Sequence, residues 1–190
     1  MNRRKAIGGI LGLTGISFAS FVGVKYFSEN VQLNEGQLKN YINLISELVN
    51  EIIPPTKTPG AKEAKVQDYI IDFMESCSSK KEYENFLNGL IDLQADCFNT
   101  YGHSFENCLV DQKKEVLADL DNSLQYSSLL NKIRDRLFGR SFFNILKTLT
   151  IEGYCTSSIG ATEQLAYNPI PGRYIAITKL GINQKAWATR

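Results

Sequence analysis

Apolar residues recur every three or four positions through most of the chain between Asn34 and Glu152. This spacing places them on one face of an α-helix. Asn34 is a plausible N-cap for the first helix, Asn34–Ile53, and Pro54-Pro55 should end it. The apolar face of this helix comprises Leu38, Tyr41, Ile42, Ile45, Leu48, Val49, Ile52 and Ile53. The pattern predicts a mainly α protein, a small helical bundle of about five helices.

Four more helices are expected after the turn-rich connector Pro54–Gly60, and each carries a similar apolar face. Ser78-Ser79 should separate the second from the third, and Gly102 should end the third. Asp111 could cap the fourth helix, and Gly139 is expected to kink or split the fifth. The expected spans are about Ala61–Cys77, Lys80–Tyr101, Asp111–Leu120 and Ser127–Glu152.

The chain changes character at Gly153, beyond which no sustained period is visible and glycine, proline, serine, threonine and aromatic residues dominate. Such a long irregular tail is often a binding segment. Tyrosine and tryptophan are enriched at protein interfaces. The predicted interface residues are Tyr154, Tyr167, Pro169, Pro171, Gly172, Tyr174 and Trp187. The alternative is that these aromatic side chains pack back on the helices of the chain itself.

The first 28 residues are typical of an export signal, with Arg3, Arg4 and Lys5 and no carboxylate before Glu29. The Arg3-Arg4 pair favours the twin-arginine route to the periplasm. Ala6–Val24 is uncharged and rich in glycine. Because its nineteen residues are about enough to span a bilayer, retention as a membrane anchor is the alternative.

These patterns divide the chain into two parts. Residues 1–28 form the signal or anchor, and residues 29–190 form one helical domain, with a helical body at 29–153 and the irregular tail at 154–190. The net charge of +1 and the lack of a basic stripe give no indication of a nucleic-acid partner.

Four cysteines, Cys77, Cys97, Cys108 and Cys155, can form disulfides in an exported protein. Three full pairings are possible, and the sequence does not choose among them. The alternative is that the cysteines are free and act as small apolar core residues. With no C-x-x-C motif and a single histidine, we expect no metal or haem site.

The usual parts of a catalytic site are missing from the sequence. It has neither a G-x-S-x-G elbow nor a P-loop, and His103, the one histidine, lies in a predicted loop. We therefore expect no catalytic residue and no cofactor-binding residue in this chain. A small exported enzyme with an unrecognised site around His103 and Glu152 remains an alternative.

Several segments in order along the chain are similar to one known family. They are the twin-arginine start, Ile52–Ala61 with Val66, Gly153–Ser157 with Gly160-Ala161, Tyr167–Tyr174 and Lys185–Trp187. On these segments the chain resembles the gluconate 2-dehydrogenase subunit 3 family, in particular its shorter, Bacteroidetes-type members.

The resemblance implies a non-catalytic small subunit of a periplasmic sugar or sugar-acid dehydrogenase. The implied partner is a large flavoprotein of the glucose-methanol-choline (GMC) oxidoreductase type, which holds FAD and abstracts the hydride. A cytochrome c subunit often accepts the electrons. The small subunit commonly supplies the signal that the twin-arginine translocase recognises. A stand-alone exported carbohydrate-binding protein, with the tail aromatics as a stacking platform, is the alternative function.

Overall fold

The computed structural model describes residues 36–123, 139–170, 172, 177, 179 and 181–188, all within one compact unit, Glu35–Arg190. The described part is helical, and the predicted mainly α bundle is confirmed. A 3-10 helix, Gln37–Tyr41, leads into α1, Ile42–Ile52. The other α-helices are α2 (Val66–Ser76), α3 (Lys80–Tyr101), α4 (Val110–Ser123) and α5 (Phe142–Thr156). A second 3-10 helix spans Phe105–Asn107, and a π turn spans Gly160–Gln164.

Local sequence signals fix both ends of α3, where the prediction of Lys80–Tyr101 is confirmed. The Ser79 hydroxyl accepts a hydrogen bond from the backbone N–H of Glu82 at 3.3 Å, which caps the first turn. Gly102 closes the helix with a left-handed φ of 77°, a conformation that glycine adopts without strain.

The predicted start of the second helix at Ala61 is wrong, because α2 begins at Val66. Residues 61–65 form turns instead, in which the Ala61 N–H donates to Ile53 O at 3.0 Å. Lys65 has a left-handed φ of 56°, so the chain cannot enter the helix before Val66.

Asp111 does not cap α4, since that helix already begins at Val110. The Leu109 N–H instead donates to Oε1 of Gln112 at 2.8 Å. The predicted cap Asn34 lies outside the described residues.

The last long helix ends later than predicted, and its predicted start at Ser127 lies outside the described residues. Gly139 has a left-handed φ of 78°, and α5 begins three residues later, at Phe142. Residues 139–141 are not helical, which agrees with the predicted break at Gly139. Helix α5 then continues to Thr156, past the predicted end at Glu152. The first four residues assigned to the irregular segment from Gly153 are therefore helical. Residues 124–138, which include most of the predicted first half, lie outside the described part.

Helix α5 is the centre of the core, where it contacts α1, α2 and α3. Phe142 rests directly on Gly89 of α3, where any side chain would collide with its ring. The ring of Phe86 lies 5.4 Å from that of Phe142. The largest fully buried side chains are Phe86, Phe105, Leu38, Leu44, Ile45, Leu48, Ile70, Met74, Leu90, Ile145, Leu146 and Leu149. None of the helices in the described ranges is long and apolar enough to cross a membrane.

One carboxylate, Glu47 on α1, joins three parts of the fold. Its Oε2 lies 2.7 Å from Nζ of Lys113 on α4, and its Oε1 lies 2.7 Å from Nζ of Lys62. Lys113 is only 7% exposed, and its ammonium lies 5.6 Å from the centre of the Phe105 ring. The hydrogen bond from Lys113, followed by that from Lys62, lowers the pKa of Glu47 below its ordinary value of 4.5.

Replacing Glu47 with Gln should lower the free energy of unfolding at pH 7 by about 1–3 kcal/mol, because Lys113 would stay buried without its anionic partner. Urea unfolding would measure this loss. Since the pKa of Glu47 is lower in the folded state, its contribution is complete above pH 4.5 and is lost as the pH falls through the folded pKa. The difference between wild type and variant should therefore shrink in acid.

The matched control is Lys62→Ala, which removes the more exposed of the two lysine partners and should cost about 0–1 kcal/mol. Equal effects of the two substitutions, or a difference for Glu47→Gln that does not depend on pH, would contradict this account.

Candidate functional site

Two distant segments meet at one end of the bundle. The first is the connector Pro54–Gly60, called the proline loop below, and the second is the C-terminal end of α5 with the π turn. The Tyr154 hydroxyl donates to Pro59 O at 2.7 Å, and the Thr58 hydroxyl donates to Oε1 of Gln164 at 3.1 Å. These bonds join residues about a hundred positions apart, so they fix the proline loop against α5.

Each of the two segments contains a glycine at which a side chain would not fit. A Cβ on Gly60 would lie 2.7 Å from Ile53 O and 2.8 Å from Pro55 N. On α5, a Cβ on Gly153 would lie 2.6 Å from Cδ1 of Tyr69. Real Cβ atoms essentially never come this close to another atom, so a side chain at Gly60 would distort the proline loop and one at Gly153 would push α5 away from α2.

The π turn is built on the last turn of α5. The Ser157 hydroxyl donates to Tyr154 O at 2.7 Å and accepts the Gly160 N–H at 2.9 Å. A side chain at Gly160 would collide with Tyr154 O. The conformation of this turn therefore depends on glycine at position 160 and determines where the chain leaves α5.

The C-terminal segment returns to Ala166, two residues after the π turn. The Ala166 N–H donates to Ala186 O at 2.8 Å, and the Ala188 N–H donates to Ala166 O at 2.9 Å, which forms a parallel bridge with Trp187. The Lys185 ammonium donates to Glu163 O. The segment between Ala166 and Trp187, called the arm below, is thus held at both ends.

Large apolar side chains in the described part of the arm face solvent. Five large ones are at least half exposed: Tyr167, Ile170, Ile177, Ile182 and Trp187. The most exposed of them, Ile182, has 98% of its surface accessible. The sequence analysis selected Tyr167 and Trp187 but missed the three isoleucines, whose isolated positions in a segment without periodicity were the available signal.

The predicted interface residues do not all lie in the arm. Tyr167, Pro169, Gly172 and Trp187 are exposed, as an interface requires. Tyr154, by contrast, is only 4% exposed because α5 buries its ring in the core, so the alternative of packing on the chain's own helices holds for this residue. Pro171 and Tyr174 lie outside the described residues.

The family model described as Gluconate 2-dehydrogenase subunit 3 matches residues 39–172. The chain belongs to the gluconate 2-dehydrogenase subunit 3 family. The matched range contains both sides of the contact between the proline loop and α5. No curated protein and no solved structure matches the chain. Members of this family are subunits of a multi-subunit dehydrogenase complex. Family membership is consistent with an accessory role in such a complex.

The groups that could perform chemistry in this family member are scattered. His103 is exposed in the loop after α3, and Glu152 lies on the surface of α5. Burial, and secondly the neighbouring Glu152 carboxylate, raise the pKa of Tyr69, so this phenol stays protonated. The described residues contain no group of three or more potential metal ligands, and the four cysteines are free thiols.

A polar cleft of about 540 Å³ lies beside Glu47. Its lining residues are Asn43, Ser46, Glu47, Lys62, Ser104, Glu106 and Asn107. The carboxylates on its walls already have partners, because Glu47 binds two lysines and Glu106 accepts both hydrogen bonds of the Gln94 amide. The cleft therefore does not indicate a particular ligand.

Replacing Gly153 with Ala should lower the free energy of unfolding by about 1–3 kcal/mol, because the new methyl group would overlap the Tyr69 ring. At an exposed position in a helix the same change is favourable, so the sign of the effect tests the close contact. Thermal unfolding of the purified chain would measure it.

Gly172→Ala serves as the control, since a Cβ there would meet nothing within 4 Å. We expect this variant to stay within about 0.5 kcal/mol of wild type. A stabilised Gly153→Ala variant would show that α5 does not approach α2 as closely as described.

Proposed function

We propose that this chain is the non-catalytic small subunit of a periplasmic FAD-dependent sugar or sugar-acid dehydrogenase, which supports assembly and twin-arginine export of the catalytic flavoprotein. Family membership supports the dehydrogenase complex. The observation that carries the proposed mode of action is the arm, whose exposed apolar side chains are held at the surface by the bridge between Ala166 and Trp187.

The exposed side chains of the arm supply a reason to bind a partner. Complete burial of an isoleucine side chain contributes about 1.5–3 kcal/mol of favourable free energy. Ile170, Ile177 and Ile182 are more than 80% exposed in the isolated chain, so a partner that covers them would gain most of this free energy. Association has to overcome the loss of translational and rotational freedom, so several such contacts are needed. An interface of roughly 1,600 Å² in total would provide them.

The attachment of both ends lowers the cost of ordering the arm. A free C-terminal segment loses all of its conformational freedom on binding, whereas a segment joined to the body at Ala166 and Trp187 has lost part of it already. The partner in this proposal is a flavoprotein of the GMC oxidoreductase type, which binds FAD and abstracts the hydride. Electrons then pass to a cytochrome c subunit or another acceptor.

Replacing Trp187 and Ile182 with Ala together should weaken the complex at least tenfold, because each substitution removes exposed apolar surface that the partner would bury. Pull-down of the flavoprotein with the tagged small subunit, followed by titration of the purified components, would measure the loss.

Phe98→Ala is the matched control, since Phe98 on α3 is 65% exposed, close to the 60% of Trp187, but lies outside the arm. We expect this variant to bind as wild type does. If the arm variant co-purifies with the flavoprotein as well as the control does, the arm is not part of the interface.

Replacing Arg3 and Arg4 with Lys should leave the flavoprotein in the cytoplasm, because the charge is kept while the twin-arginine signal is lost. Flavin-dependent dehydrogenase activity in periplasmic and cytoplasmic fractions would measure this. Lys5→Arg changes the neighbouring basic residue without touching the pair and should export normally. Normal export of the partner with the Arg3/Arg4 double variant would refute the carrier role while leaving the arm interface open.

A further inference from the structure

Two of the four cysteines lie together in the core. Cys97, on the penultimate turn of α3, is fully buried, and Cys108, which follows the 3-10 helix Phe105–Asn107, is 7% exposed. Both belong to the same continuous hydrophobic core. They are separated by ten residues that form the end of α3, the loop and the 3-10 helix.

The Gln94 amide fixes the 3-10 helix against α3 at this point. Its Oε1 accepts the Phe105 N–H at 3.0 Å, while its Nε2 donates to both carboxylate oxygens of Glu106 at 3.0 and 2.9 Å. Because Gln94 lies three residues before Cys97, the two share one face of α3. The 3-10 helix is therefore held on the same face of α3 that carries the Cys97 thiol.

The other end of the pair is fixed by the turn that carries Cys108. The Cys108 N–H donates to Phe105 O at 3.1 Å, and its thiol donates to Ser104 O at 3.4 Å. Two effects raise the pKa of the Cys97 thiol to about 11: burial is the larger, and the interaction with the Cys108 thiol comes next. Both thiols are thus buried where the 3-10 helix packs against α3.

The two remaining cysteines are placed differently. Cys77 is exposed at the C-terminal end of α2, and Cys155 is half-buried in the last turn of α5. Cys77 precedes α3, and Cys97 lies about 25 Å further along the axis of that helix at the helical rise per residue. A disulfide needs Cα atoms within about 7 Å. Cys77 is therefore too far from Cys97 to pair with it, whereas the segment that carries Cys108 is held on the face of α3 that carries Cys97.

We propose that Cys97 and Cys108 form an intramolecular disulfide when the chain meets an oxidising compartment. The reaction removes two protons and two electrons from the thiols, and the disulfide of a thiol oxidant accepts them and becomes two thiols. The Cys108 thiolate first attacks the oxidant, releasing one of its sulfurs as a thiol. The Cys97 thiolate then attacks Cys108 Sγ, which expels the second oxidant thiol and forms the bond between the cysteines.

Burial makes this bond slow to form in the folded chain and resistant to reduction once it is formed. Little of the Cys97 thiol is ionised near neutral pH, because its pKa is about 11. Oxidation should therefore be faster when the pH is raised or when the chain refolds. The disulfide would join the C-terminal end of the 3-10 helix to α3. Because it also restricts the conformations of the unfolded chain, it should raise the free energy of unfolding.

The test uses the purified full-length chain and oxidised glutathione as the oxidant. The reduced chain is refolded with or without oxidised glutathione, then denatured and alkylated, and its peptides are analysed by mass spectrometry. We expect one cross-linked peptide pair that contains Cys97 and Cys108, with Cys77 and Cys155 alkylated. The oxidised chain should also unfold at a temperature roughly 5 °C or more above that of the reduced chain.

The double variant Cys77→Ser/Cys155→Ser is the control and should keep both the cross-link and the gain in unfolding temperature. Alkylation of all four cysteines after refolding with oxidant, a glutathione adduct on Cys108 without the cross-link, or a cross-link through Cys77 or Cys155 would overturn the proposal. The result does not depend on any partner protein, so it is separate from the proposed role in export.

Discussion

The contact between the end of α5 and the proline loop determines where the chain leaves the helical body. Gly153 lets α5 approach Tyr69 on α2, and the Tyr154 hydroxyl binds Pro59 O. Because the π turn is built on Tyr154 O, the same contact fixes where Ala166 lies and therefore where the C-terminal segment can return. A single buried tyrosine thus links the core to the surface proposed to bind the flavoprotein.

Features fixed by neighbouring residues could be predicted from the sequence, and features fixed by distant residues could not. Ser79 and Gly102 cap α3 locally, so both of its ends were predicted. The start of α2 was missed because a hydrogen bond to Ile53 O holds Ala61 in a turn. Tyr154 appeared to belong to the surface because its partner, Pro59, is 95 positions away.

The candidate site was predictable in composition but not in geometry. The sequence indicated a binding tail, yet only the structure shows that Ala166 and Trp187 hold the arm at both ends. Likewise, four cysteines allow three pairings, and the position of the 3-10 helix against α3 brings Cys97 and Cys108 together. Both results come from tertiary contacts of short, non-periodic segments, which leave no repeat in the sequence.

The measurement that tests the central claim most directly is purification of the tagged chain from the periplasm of its native host, with identification of the proteins that come with it. The account predicts a stoichiometric flavoprotein with the absorption spectrum of bound flavin and a sugar or sugar-acid dehydrogenase activity. A chain that purifies alone, without flavin, would contradict the role as a dehydrogenase subunit.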